Sequence, residues 1–245
     1  MPGMIWLYDD YEALSNAAAG IFVQQARQAM QMKGWFAVAL SGGHTPQRTY
    51  ELLAQPPYRD QVAWRQVHIF WGDERCVPHG DPRSNTRMVR QALLDQVPIP
   101  TSQIHPISCG PAAREGADDY EAVLREFFGH QPPRFDLVFL GLGENGHTAS
   151  LFPGSQVLEE KEHWVSEIYV AEQDLHRVTL TALLINQAAV VVFLVSGAQK
   201  AAIVKEVLEG PVDPHRLPAQ MIKPAIGEVH WLIDQEAGAL LTRQA

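Results

Sequence analysis

Short apolar runs alternate along this chain with longer segments that have the length and composition of helices. Val190–Val195 is continuously apolar, as expected of a strand buried on both faces of a sheet. Tyr11–Lys33 and Arg114–Phe128, by contrast, mix apolar and charged residues over several helical turns. Strands that alternate with helices are typical of a mostly parallel sheet with helices on both faces. The sequence therefore predicts an α/β fold of this kind.

The length and composition fit one such domain. Of the 245 residues, 46% are hydrophobic and 19% are charged, which is enough to build a sizeable core. The alternation continues across the proline-rich stretches, so a single domain is predicted to span residues 1–245. Strands are predicted at 4–8, 35–40, 67–71, 104–107, 135–140, 164–170, 190–195 and 228–233, helices at 11–33, up to 54, 84–96, 114–128 and 199–208, and a strand leading into a helix at 177–184.

Charge and hydropathy argue against two classes of partner. A formal net charge of −9 opposes nucleic acid, which needs a basic surface, but permits a locally basic pocket for a small anion. No membrane partner is expected, because the apolar run Ala188–Val195 is far shorter than the about 20 residues that span a bilayer. The first ten residues lack the features of a signal peptide. Cys76 and Cys109, the two cysteines, argue against a disulfide framework and a metal cluster, so a reducing cytoplasm is the predicted location.

The segment after the predicted strand 135–140 is the strongest functional signal. Residues 141–154 have the sequence GLGENGHTASLFPG, so the strand ends in a glycine-rich turn with one histidine, followed by a predicted helix start at Thr148. Loops at the carboxyl ends of strands bind ligands in open α/β sheets, and histidine transfers protons near neutral pH. Asn-Gly alone is a common turn signal, but three glycines and a histidine together favour a functional loop. The match to the dinucleotide motif G-x-G-x-x-G is incomplete, because the motif also expects an acidic residue about 20 positions later at the end of a second strand, and no residue fits that position well.

Further loops at strand ends carry groups suited to binding an anion. Ser41-Gly42-Gly43-His44-Thr45-Pro46 combines glycines, hydroxyls and a helix start, although an ordinary strand–helix turn explains it equally well. Asp73-Glu74-Arg75 is either a solvated charge run or part of a site at the end of its strand. Arg177 and Lys200 lie at element boundaries, and two cations with a glycine-rich donor loop favour a phosphate clamp. We expect separate crossover connections to bring these loops to one cleft.

Taken in order along the chain, these segments resemble the 6-phosphogluconolactonases. The glycine-rich loop followed by His-Thr-Ala-Ser-Leu-Phe-Pro is the specific part of the resemblance, and the other loops fall in family order and spacing over nearly the whole chain. The resemblance implies a Rossmann-like α/β sheet that is shared with glucosamine-6-phosphate deaminases. That sister branch typically has Gly-His-Ile-Ala-Phe-Asn-Glu-Pro after the glycines, and Asp-Glu-Tyr where this chain has Asp73-Glu74-Arg75. Both differences favour the lactonase branch.

The resemblance also implies a reaction and the residues that perform it. The reaction is hydrolysis of 6-phospho-D-glucono-1,5-lactone to 6-phosphogluconate in the oxidative pentose phosphate pathway, without a metal or other cofactor. His147 would act as the general base on water, Arg75 would stabilise the negative carbonyl oxygen, and Asp73 would bind sugar hydroxyls or steer Arg75. The pathway implies a functional link to glucose-6-phosphate dehydrogenase. The 6-phosphate would be held by Ser41, Gly42, Gly43, Thr45, Arg177 and Lys200.

One position departs from the family pattern. The family loop usually has Asp where this chain has Asn145, two residues before His147. An amide can orient the imidazole but cannot supply the charge that stabilises its protonated form, so we expect a lower pKa for His147 than with Asp. Three alternatives remain: an amino-sugar-phosphate deaminase or isomerase, a non-catalytic sugar-phosphate-binding protein in which Asn145 marks lost catalysis, and a nicotinamide-dependent dehydrogenase.

Overall fold

Strands and helices alternate through most of the molecule. The computed structural model describes residues 3–110, 112–129 and 132–242. Within these ranges the strands are β1 (Met4–Tyr8), β2 (Phe36–Leu40), β3 (Val67–Trp71), β4 (Asp73–Arg75), β5 (Ile104–His105), β6 (Leu137–Leu140), β7 (Val165–Val170), β8 (Leu175–Leu180), β9 (Val190–Val195) and β10 (Glu228–Asp234). The α-helices are α1 (Tyr11–Lys33), α2 (His44–Leu53), α3 (Asn85–Ala92), α4 (Ala113–Phe128), α5 (Ala182–Ile185) and α6 (Ala201–Glu209).

Seven parallel strands form the main sheet, in the order β1-β10-β9-β6-β2-β3-β5. From β2 the chain builds outward to β3 and β5, and then returns to place β6 on the other side of β2. Every residue of β2, β6 and β9 is buried, so the core lies along these central strands. The predicted α/β fold with a mostly parallel sheet is confirmed. The reversal between β2 and β6 creates a crevice at their carboxyl ends, the usual ligand position in such sheets.

Helix α1 shows how local sequence sets the elements around this sheet. The Asp10 side chain accepts the N–H of Ala13 and caps the first turn, whereas Gly34 ends the helix in the left-handed conformation with a φ of 85°. Ala18 and Phe22 lie one turn apart on the buried face. Phe22 is fully buried against the sheet, and its replacement by alanine would destabilise the fold by about 3–5 kcal/mol.

Strands β7 and β8 correspond to predicted strands, but their antiparallel sheet with β4, in the order β4-β8-β7, is not predicted from the sequence. A charged loop is predicted at Asp73-Glu74-Arg75, but these residues form β4, in which Asp73 pairs with Thr179 and Arg75 with Arg177. Pairing with a strand about a hundred residues later decides the local structure, and no local pattern shows it. Arg177 therefore comes from an antiparallel strand, and the expectation that crossover connections of the parallel sheet supply it is wrong.

The helix start predicted at Thr148 is also wrong. The N–H of Leu151 donates to the Thr148 carbonyl over 2.9 Å, which closes a tight turn. Ala149 has a φ of 47° in this turn, a conformation that a right-handed helix cannot contain. The N–H of Ser150 donates to the Thr179 hydroxyl at 3.1 Å, so a contact with β8 decides the conformation here.

The sequence argument against a disulfide framework does not predict the single disulfide that the structure contains. Cys76, directly after β4, forms a disulfide with Cys109 in the loop after β5, with 2.08 Å between the sulfurs. The two positions are 33 residues apart in sequence, so no local pattern predicts that they meet. As for membranes, none of the helices in the described ranges combines the length and the apolar character that a crossing would require.

Candidate active site

A cleft of about 1010 Å³ opens at the carboxyl ends of β2, β6 and β9, with β4, β8 and the hairpin between β7 and β8 on its other side. A sugar phosphate fits within this volume, which is at the upper end of the usual range for ligand pockets. All ten residues proposed for the site from the sequence line the cleft. They are His147, Arg75, Asp73, Asn145, Ser41, Gly42, Gly43, Thr45, Arg177 and Lys200.

The imidazole of His147 is oriented by Asn145. Asn145 Oδ1 accepts the backbone N–H of His147 at 3.2 Å, which identifies this atom as an acceptor. The same oxygen lies 2.6 Å from Nδ1 of the ring, so Nδ1 carries the proton of the neutral imidazole. Nε2 is consequently left with its lone pair, which makes it the atom able to take a proton.

The ring of His147 is held between close neighbours. It stacks on Phe152 with 4.2 Å between ring centroids and 23° between planes. On the β6 loop it lies against Gly143, where an added Cβ would be 2.0 Å from Nδ1. The N–H of Gly143 also donates to the His147 carbonyl at 2.8 Å. The loop therefore needs glycine at 143 because the imidazole occupies the space of a side chain.

The protonation state of His147 follows from its surroundings. Burial lowers the pKa of His147 to about 4; the nearby Asp73 carboxylate raises it, and the cations Arg177, Lys200 and Arg75 lower it further. The imidazole is therefore neutral at neutral pH and available as a base. This histidine therefore shares one electrostatic environment with both predicted phosphate-binding cations, Arg177 and Lys200.

The Asp73 carboxylate is buried and held by three side chains. Ser150 donates its hydroxyl to Oδ2 at 2.6 Å, and the Nη1 group of Arg177 lies 3.4 Å from the same oxygen. The amide of Asn85 donates to Oδ1 at 3.3 Å. Ser150 and Asn85 were not among the predicted site residues, because they meet Asp73 through tertiary contacts.

Asn85 also positions Arg75. The Nη1 group of Arg75 donates to Asn85 Oδ1 at 2.5 Å and to the Arg83 carbonyl at 3.0 Å. Gly42 leaves room for this contact, since a Cβ there would lie 1.8 Å from Asn85 Oδ1. Glu74, between the two cleft residues of β4, points the other way and accepts the N–H of Asn85 at 2.8 Å. Because successive side chains of a strand point to opposite faces, Asp73 and Arg75 face the cleft and Glu74 faces the core.

The loop after β2 forms the other end of the cleft. Ser41 is 4% exposed and its hydroxyl has no partner among the described residues, while Gly43 leads into α2 with a φ of 108°. The first turn of α2 directs N–H groups toward this end, as in helix-terminal anion sites. Thr45 and Ser196 share a hydrogen bond of 2.8 Å across the β2 and β9 loops. Lys200 is partly buried; burial lowers its pKa, and the Glu144 carboxylate opposes that effect.

The guanidinium of Arg177 already contacts other groups of the protein, which leaves it fewer free N–H donors for an anion. Besides Asp73, its guanidinium donates from Nη2 to Gln173 Oε1 at 2.5 Å and lies over the Phe152 ring, 5.4 Å from the centroid. Its Nε has no hydrogen-bond partner within the part of the chain that the structure describes. Arg75 and Lys200 are therefore the cations of the cleft whose charge is least neutralised by a contacting carboxylate. In the described part of the chain, no three His, Cys, Asp or Glu side chains are grouped as a metal site would need.

This chain is similar to known proteins over most of its length. The family model described as glucosamine-6-phosphate isomerases/6-phosphogluconolactonase matches residues 9–231. A protein named 6-phosphogluconolactonase from Synechocystis is 45% identical over 217 residues, covering 86% of this chain and 87% of its own length. One of the same name from Nostoc is 37% identical, covering 95% and 96%. The structure of 6-phosphogluconolactonase from Trypanosoma cruzi superimposes with a TM-score of 0.87 at 29% identity, covering 98% of this chain and 97% of that one.

Proposed function

Because the chain belongs to the family of glucosamine-6-phosphate isomerases and 6-phosphogluconolactonases, we propose that it hydrolyses 6-phospho-D-glucono-1,5-lactone to 6-phosphogluconate. The lactonase branch is favoured by relatives of that name that match over most of both chains. The observation that carries the proposal is the orientation of His147: its Nδ1 proton is held by Asn145, so Nε2 is the basic atom in a cleft that also contains cations.

The chemistry follows from this arrangement. His147 Nε2 takes a proton from a water molecule as its oxygen attacks the lactone carbonyl, and the carbonyl electrons move onto the carbonyl oxygen. The Arg75 guanidinium, held by Asn85, is the cation proposed to stabilise that oxyanion. The bond between the carbonyl carbon and the ring oxygen then breaks, and the imidazolium returns its proton to the ring oxygen, which becomes a hydroxyl. The product is the open-chain acid, and His147 is again neutral.

The phosphate is proposed to lie at the α2 end of the cleft. Ser41, Gly42, Gly43 and Thr45 supply hydroxyl and backbone donors there, and Lys200 supplies charge. Arg177 is included in the phosphate clamp through its charge, since its Nη1 and Nη2 atoms already contact Asp73 and Gln173. Asp73 is proposed to bind sugar hydroxyls or to steer Arg75 through the shared Asn85.

The biological setting is part of the same proposal. The reaction would occur in the oxidative pentose phosphate pathway, in the cytoplasm, with a functional link to glucose-6-phosphate dehydrogenase, and residues 1–245 would form one domain. The Cys76–Cys109 disulfide is uncommon for a reducing compartment. Thiol labelling of the protein in freshly lysed cells therefore tests the location.

Turnover measured against the spontaneous reaction tests the activity. The lactone hydrolyses by itself, so the proposal requires a protein-dependent rate above that background, together with a much smaller rate of ammonia release from glucosamine 6-phosphate. Release of ammonia as the main activity would support the deaminase, the other branch in the matched family. Tight binding of 6-phosphogluconate without turnover would indicate a sugar-phosphate-binding protein.

A further inference from the structure

The turn after His147 contains a residue in a conformation that its side chain disfavours. Ala149 has a φ of 47°, in the left-handed region where glycine and asparagine are the usual residues. Such a conformation persists when surrounding contacts determine it, and it is common at functional sites. The contacts here are made by its neighbours: the Thr148 hydroxyl donates to the Gly141 carbonyl at 2.9 Å, and the N–H of Ser150 donates to Thr179.

The result of this turn is that the Ser150 side chain points at Asp73. Ser150 is 0% exposed, and its hydroxyl donates to Asp73 Oδ2 at 2.6 Å. Arg177 Nη1 lies 3.4 Å from both the Ser150 hydroxyl and the same carboxylate oxygen, so the three groups form a closed triangle. Asn85 holds the other oxygen of Asp73. The Ser150 hydroxyl is the shortest of these contacts to the carboxylate.

We propose that Ser150 is a positioning residue that fixes the Asp73 carboxylate on the floor of the cleft and acts on the reaction through it. The proposal rests on the lactonase function proposed above. Removal of the hydroxyl leaves Asp73 with Arg177 and Asn85 alone, and the carboxylate then has no donor that fixes Oδ2 at short range. A hydrogen bond to a charged group contributes enough to change a rate by about ten- to a hundredfold.

The link from Asp73 to His147 is electrostatic. The charged groups that act on the imidazole are Asp73, which raises its pKa, and Arg177, Lys200 and Arg75, which lower it. Without the Ser150 hydroxyl, Oδ2 keeps only the 3.4 Å contact with Arg177 Nη1, and a closer ion pair there would leave less of the carboxylate's charge to raise the pKa of His147. We therefore expect the loss of the Ser150 hydroxyl to move the titration of His147 to lower pH.

The test compares Ser150→Ala with Ser15→Ala. Ser15 is a matched control because it is also 0% exposed, and its hydroxyl donates to the Tyr11 carbonyl within α1, away from the cleft. Ser150→Ala is expected to lower kcat about ten- to a hundredfold with little change in KM, while Ser15→Ala changes neither. In an Asp73→Asn background, Ser150→Ala is expected to have little further effect on kcat, because the effects of substituting residues that act as one unit do not add.

A second readout separates this inference from the proposed function. The pH titration of the His147 ring by NMR, assigned by its loss in His147→Gln, needs no turnover and is expected to shift downward in Ser150→Ala only. Absence of lactone turnover by the wild type would refute the proposed function, and the titration would still decide whether Ser150 acts through Asp73. Equal titrations and rates in Ser150→Ala and Ser15→Ala, or additive effects with Asp73→Asn, would overturn the inference.

Discussion

The Oδ1 atom of Asn145 lies 2.6 Å from Nδ1 of His147 and accepts a hydrogen bond from its N–H group. A carboxylate in the same place would also stabilise the imidazolium, whereas the amide cannot. Asn145→Asp is therefore expected to raise the pKa of His147 from its value of about 4, and to move the acid limb of the kcat/KM profile to higher pH. The measurement is that profile for both proteins between pH 3.5 and about 8. Superimposable acid limbs would show that residue 145 does not tune the base.

The contact between Gly143 and the imidazole predicts a severe effect of a small change. An alanine Cβ at 143 would lie 2.0 Å from His147 Nδ1, so the ring must leave its position on Phe152. Gly143→Ala is expected to lower kcat about a hundredfold or more, since a base out of hydrogen-bond reach loses its catalytic contribution. Gly141→Ala is the control in the same loop, because nothing lies within 4 Å of the added Cβ. Equal activity of the two variants would show that the close contact between Gly143 and the imidazole does not position the base.

The disulfide closes a loop of 33 residues that includes α3. Cross-links of this size restrict the unfolded chain, so Cys76→Ser is expected to lower the free energy of unfolding by about 2–4 kcal/mol. Urea unfolding with and without dithiothreitol measures this. Reduced wild type should approach the stability of Cys76→Ser, and the variant should not respond to the reductant. A wild type whose stability is independent of reductant would show that the bond does not form in solution.

A pair of histidines at the β3–β5 edge predicts acid sensitivity of the fold. His68 Nδ1 lies 3.2 Å from His105 Nε2, and burial lowers the pKa of both rings, that of His105 to about 4 with a contribution from His68. Because the unfolded state binds protons near pH 6.5, it gains protons before the folded state does. Stability is therefore complete above about pH 6.5 and is lost as the pH falls toward 4.

Urea unfolding at pH 7.5, 5.5 and about 4.5 measures this dependence in the wild type and in His105→Gln. The variant removes one of the two titrating rings, so its stability should fall less steeply over the same range. The same slope in both proteins would exclude His105 as a source of the acid sensitivity.

Sequence predicts best those elements that local pattern determines. The predicted segments Val67–Trp71, Val190–Val195 and Tyr11–Lys33 coincide with β3, β9 and α1. The strands are set by their own apolar runs, and the helix is bounded by caps directly beside it. The helix predicted at 84–96 ends earlier, at Ala92, and a short 3₁₀ turn follows it. The antiparallel strand at Asp73–Arg75 and the disulfide depend on contacts between distant segments, which a local pattern does not contain.

In the site, too, local pattern predicts some features and contacts between distant segments decide the others. The loops that line the cleft could be predicted because the carboxyl ends of parallel strands meet at one edge of the sheet. The side chains that hold the lining residues could not: Ser150 meets Asp73 across 77 positions, and Arg177 meets it across 104. Asn85 follows the Ser84 helix cap, a signal that explains its place in α3 but not its contact with Arg75.

Lactone hydrolysis by wild type and His147→Gln, each measured against the spontaneous rate, tests whether His147 is the general base. Glutamine preserves a polar side chain of similar size but has no basic nitrogen. A wild-type rate well above background is expected at neutral pH, where the imidazole is neutral. The variant is expected to lose about 10²–10⁴-fold in kcat. A wild-type rate equal to the background would refute the lactonase activity, and a variant as active as the wild type would exclude His147 as its general base.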